Sequence, residues 1–105
     1  MLQHQQKLAT MQQGQTLLVG MNIFNTDGTW LRAEQVFGII ESLNAERVRI
    51  INQLTQELLE YPFIKDSIEP GQGGAYQFHK DAIPVLNPDF VATFKVTLSK
   101  DNTSL

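Results

Sequence analysis

A chain of 105 residues is enough for one domain, and its eight Lys and Arg against eleven Asp and Glu leave a formal charge of −3 with no cysteine. The basic residues are scattered from Lys7 to Lys100 and form no stripe that would replace phosphate counterions, and no apolar run reaches membrane-spanning length, so neither a nucleic-acid partner nor a membrane partner is expected. Without cysteine there is no disulfide framework, thiolate nucleophile or Cys-based zinc site, and stability must come from packing.

Residues 1–15 are polar and Gln-rich, with Leu2, Leu8, Ala9 and Met11 available to bury. They read as a frayed segment or a short helix, since isolated helices of this length are marginal in water. The segment lacks the apolar stretch and cleavage pattern of a secretory signal, and the cytoplasm is the expected compartment. Residues 16–100 then read as a single domain and 101–105 as a polar tail.

Thr16 to Phe24 is predicted as the first strand. Leu17, Val19, Met21 and Ile23 make one apolar face, while Leu18, Gly20, Asn22 and Phe24 make a mixed second one. A strand apolar on both sides is central or covered twice. Asn25-Thr26-Asp27-Gly28 is turn chemistry, with Thr29 as a cap for the next element.

From Trp30 to Glu60 the apolar residues fit a helical period. Val36, Ile40, Leu43, Ile51, Leu54 and Leu58 fall on one stripe, with Ala33, Ile39 and Ile50 at its margin. One helix of this length would outreach so small a domain, so two pieces broken near Ser42 to Ala45 are predicted, with Asn44 as the second cap; the alternative is one unbroken, protruding helix, which would suggest a helical dimer. Arg47 lies inside the stripe. It marks the helix break, snorkels to the edge, or meets an acid across a subunit contact. Trp30 reads as a lid on the core, the alternative being an exposed anchor.

Tyr61-Pro62 ends the helical stretch. Phe63 to Glu69 and Ala75 to Lys80 read as strands around the turn-rich Pro70 to Gly74, and Asp81 to Asp89 reads as a loop. Phe90 to Ser99 alternates without a fault, placing Phe90, Ala92, Phe94, Val96 and Leu98 on a core. The order strand, helices, three strands predicts a two-layer α+β domain, a mainly antiparallel four-stranded sheet under one helical layer.

No segment carries a chemical signature. His79, Asp81 and Tyr76 are the only polar cluster that suggests catalysis, and with Tyr76 and Phe78 facing the core His79 faces solvent. The Gly71-Gln72-Gly73-Gly74 run leads into a strand, whereas a phosphate cradle opens a helix. Asp27-Gly28 lacks the alternating acids of a calcium loop, and the helical carboxylates have no histidine partners. No cofactor and no metal are expected. The first functional expectation is a non-enzymatic interaction or assembly module acting as a homo-oligomer, with Leu18, Phe24, Phe37, Val48 and Leu59 as its contact residues. The alternative is a small enzyme or ligand-binding domain with a pocket between sheet and helices near His79.

Overall fold

Thr16–Phe24 is strand β1, over the residues that alternation predicts. The turn after it closes with the Asn25 N–H donating to the Thr29 carbonyl, and Thr29 N–H donating to Asp27 Oδ1 at 2.9 Å. That turn leads into a second strand, not a helix. In the computed structural model, which describes residues 11–78 and 80–98, residues 30–62 form β2 (Trp30–Leu43), β3 (Arg47–Asn52) and β4 (Leu58–Pro62). The expected helical layer is thus overturned. The only helical element among the described residues is a single 3-10 turn, Lys65–Ser67.

The physical reason lies in six β-branched residues, Val36, Ile39, Ile40, Val48, Ile50 and Ile51, which lose rotamer freedom in a helix and pack well on a pleated surface. Two asparagines supply the turns. Asn44 Oδ1 accepts the N–H groups of Glu46 and Arg47, and Asn52 Oδ1 accepts that of Leu54. Each side chain mimics a backbone turn and reverses the chain. Asn44 therefore does interrupt the segment, but between strands. Arg47 then needs no helix break: from β3 its Nη1 donates to Glu60 Oε2 at 3.0 Å, and Arg49 Nε donates to Glu60 Oε1 at 2.9 Å. The acid is on the same chain. Chiefly the Arg49 hydrogen bond, helped by the Arg47 charge, holds the Glu60 carboxyl below its usual range.

The remaining strands are β5 (Ile68–Pro70), β6 (Ala75–Tyr76), β7 (Val85–Leu86) and β8 (Phe90–Thr97). One sheet runs β4-β3-β2-β1-β8-β5, and β6 with β7 makes a second, small one. β1 is central, antiparallel to β2 and parallel to β8. The parallel register is pinned where it begins. Asp89 Oδ2 accepts from both the N–H and the hydroxyl O–H of Thr16, while Thr16 Oγ1 accepts the Asp89 N–H at 2.9 Å.

The large sheet curls on itself. Tyr61 on β4 stacks on Phe94 of β8 with ring centroids 6.2 Å apart, although β3, β2 and β1 lie between them in strand order. The concave side holds the main core of Leu17, Val19, Ile40, Val48, Ile50, Ile68, Phe90 and Ala92, joined by Met11 from the N-terminal segment. Met11 and the residues after it form no helix, and residues 1–10 lie outside the described residues. Trp30, expected as a core lid, is instead 54% exposed, with its Nε1 donating to Asn22 Oδ1 at 3.3 Å.

Burial, with a smaller contribution from Glu34, raises the Tyr61 phenol above its ordinary value of 10.0. A phenol that resists ionisation in the folded state favours folding while it is neutral in both states. That contribution is complete below about pH 10 and is lost as pH rises toward the native value. Tyr61→Phe is therefore expected to flatten the fall in melting temperature above pH 10 while leaving the curve near pH 8 unchanged in shape. Equal alkaline slopes in the two proteins would remove Tyr61 as the cause.

Candidate functional site

The convex side of the sheet carries the features that packing alone does not use up. At one end, the described residues of the segment 71–88 lie across it as a strap built on β6 and β7. Tyr76, Phe78 and Val85 pack on Leu18 and Val91. Phe78 sits directly over Gly20, where any Cβ would overlap its ring. Gln35, on β2, fastens both legs of the strap, with Oε1 accepting the Phe78 N–H at 2.9 Å and Nε2 donating to the Ile83 carbonyl at 2.8 Å.

Between this strap and the β3–β4 turn beside β2 runs a groove of about 510 Å³. Phe37 of β2 and Leu54 of the β3–β4 turn form one wall, and Ile83, Val85 and Leu86 form the strap wall. Next to it on the same face, Ile39, Ile51 and Leu58 stand opposite one another on β2, β3 and β4. This row is not covered: Ile39 is 37% and Leu58 55% exposed, and Leu54, Ile83 and Leu86 of the neighbouring groove are more exposed still. Apolar side chains thus run from the groove onto the open sheet, flanked by the Arg49–Glu60 pair.

The five expected contact residues are divided by the curl of the sheet. Leu18 is fully buried beneath the strap and Val48 is buried in the concave core, so neither offers a surface. Leu59 is half-buried against that same core. Phe24 is half-buried with the Lys95 ammonium 4.9 Å from its ring centre. Phe37 alone reaches the groove. The second face of β1 did need a cover, and the chain supplies it from its own strap.

Of the other candidates, His79 lies outside the described residues. Tyr76 packs on the outer cluster and its hydroxyl accepts the Gln72 N–H at 2.8 Å, whereas Asp81 is on the groove wall. Tyr76 does not line that groove with Asp81, and the pocket between sheet and helices has no helices to form it. Among the described residues no three His, Cys, Asp or Glu side chains are grouped to hold a metal ion. No described helix is long and apolar enough to cross a membrane.

Sequence reasoning missed Gln35, Leu54, Leu58, Ile83 and Leu86. Reading residues 30–60 with period two would have put Phe37 and Ile39 together on the outer face, but the strap residues carry no alternation to reveal them. Comparison with protein-family models, with curated proteins and with solved structures gives no match.

Proposed function

We propose that this protein is a non-enzymatic interaction module that works by assembling with copies of itself through the convex face of its sheet. The observation that supports this most is the uncovered row Ile39, Ile51 and Leu58, continuous with the apolar groove and edged by charged side chains. An apolar centre with a polar rim is the anatomy of protein interfaces, and a contiguous apolar surface on a small chain is a common mark of association. A second copy is the partner because self-association in closed symmetry is the commonest arrangement of soluble oligomers.

Leu58 is the residue to test, since it is exposed and its loss opens no cavity. Light scattering at micromolar concentration is expected to give the wild-type chain a multiple of its 11.9 kDa mass. Leu58→Glu should shift that mass to 11.9 kDa with an unchanged circular dichroism spectrum. A wild-type protein that stays at the monomer mass up to about 100 μM, far above the range of specific assembly, would refute the reading.

A second reading has one observation in its favour. The groove's volume and its largely apolar walls fall within the size range of small-ligand sites, about 300–1,000 Å³.

A further inference from the structure

The strap is bonded mainly to itself. β6 pairs with β7, Gln77 Nε2 donates to the carbonyls of Lys80 and Ala82, and Asn87 Oδ1 accepts the Gly74 N–H. At its neck it is fixed to the sheet, since the Gly71 N–H donates to the Asp89 carbonyl and Asp89 is held by Thr16. Beyond the neck, among the described residues, the hydrogen bonds between strap and sheet are the two of the Gln35 amide, to the Phe78 N–H and the Ile83 carbonyl.

Its packing is thin as well. Of the described residues from Gly71 to Asn87, Val85 alone is buried. Tyr76, Phe78 and Val85 form with Leu18, Phe37 and Val91 a cluster separate from the main core. A unit that is cohesive within itself and weakly tied to the rest opens locally, at a free energy below that of global unfolding.

We propose that the strap is a cover that lifts from the sheet about its neck, with Gln35 as its latch. Lifting withdraws Ile83, Val85 and Leu86 from the groove and uncovers Leu18 and Val91, both buried beneath the strap. Phe37 borders the groove and that cluster alike, so the two join into one apolar trough. This concealed surface is distinct from the exposed row on which the assembly reading rests.

The chain has no cysteine, so a single introduced thiol reports exposure at one position. Leu18 and Val19 are neighbours on β1 and both fully buried, Leu18 under the strap and Val19 in the concave core. Rates of labelling by DTNB would be measured for Leu18→Cys and Val19→Cys without denaturant, each against the unfolding free energy from its own urea titration. Val19→Cys is expected to label through global unfolding, and Leu18→Cys at least about tenfold faster than its global stability allows. Adding Gln35→Ala removes both latch bonds and should speed Leu18→Cys about tenfold or more. Gly20→Ala, whose Cβ would overlap the Phe78 ring, reaches the strap without touching Gln35 and should speed it likewise. Ile50→Val, a change in the concave core, should speed Val19→Cys severalfold and leave Leu18→Cys unchanged, because lifting the strap does not open that core. Equal acceleration of both thiols by Ile50→Val would overturn the proposal, since Leu18 would then be reached only by global unfolding. Leu18→Cys labelling that neither strap variant accelerates would overturn it too.

Discussion

Ile50→Asp is expected not to fold, whereas Ile51→Asp, one residue further on, is expected to fold. Ile50 is fully buried in the concave core and Ile51 stands half-exposed on the convex face. Truncating a buried isoleucine already costs about 2–5 kcal/mol, and an unpaired carboxylate in its place adds several more. That exceeds most of the roughly 5–15 kcal/mol that holds a small domain together. Ile51→Asp loses only part of a half-exposed contact, about 1 kcal/mol, and its main effect should be on assembly. Urea titration of the two variants checks this, and equal midpoints would mean that the faces of β3 are wrongly assigned.

Gly71→Ala should be the most costly methyl group that can be added to this protein. Gly71 passes against the backbone of Pro88 at the neck of the strap, its N–H donating to the Asp89 carbonyl at 2.8 Å. A Cβ there would overlap the Pro88 carbonyl oxygen. A side chain could turn away, but this obstacle is backbone, so the two legs of the strap must part and the hydrogen bond must go with them. Overpacking of this kind costs about 3 kcal/mol or more. Gly74→Ala is a useful control, since its Cβ would meet nothing but its left-handed backbone, φ +85°, disfavours alanine; about 1 kcal/mol is expected. A denaturation midpoint for Gly71→Ala at or above that of the control would show that the neck opens more easily than its contacts imply.

The first and last strands in the chain, β1 and β8, were legible because alternation there has no competing period. Leu17 to Ile23 and Phe90 to Val96 fit a strand and nothing else. The middle was not legible. Val36, Ile40, Leu43, Ile51, Leu54 and Leu58 are spaced by three, four, seven or eight residues, which suits a helical stripe, but once Asn44 and Asn52 turn the chain Leu54 lies in a turn and the others fall on opposite sides of three strands. Gly38 was a signal against the helix, since glycine costs about 1 kcal/mol in a helix interior, and here its missing side chain makes room for the Ile51 carbonyl and Ile50.

The candidate site was legible only in part. That Leu18 needed a cover followed from the sequence, and Phe37 and Asp81 were among the residues singled out. Their meeting across a groove depends on the strap folding back over β2, a long-range event with no local trace. Periodicity reports which side of an element is apolar. It does not report which distant segment lies there.

The parallel contact between β1 and β8 also has a consequence in time. Thr16 and Asp89 stand 73 residues apart in the chain, yet they open the register that centres the sheet. The hairpins joining β1 to β4 are local and close in microseconds, while a pairing across most of the chain must first overcome its loop-closure entropy. During synthesis, β1 therefore waits, with Leu17 and Val19 open on one side and Leu18 on the other, until β8, whose first contact lies 73 residues downstream, has left the ribosome. That interval is when this chain is most exposed to aggregation, and slow refolding that retains early hairpin signals is its expected kinetic signature.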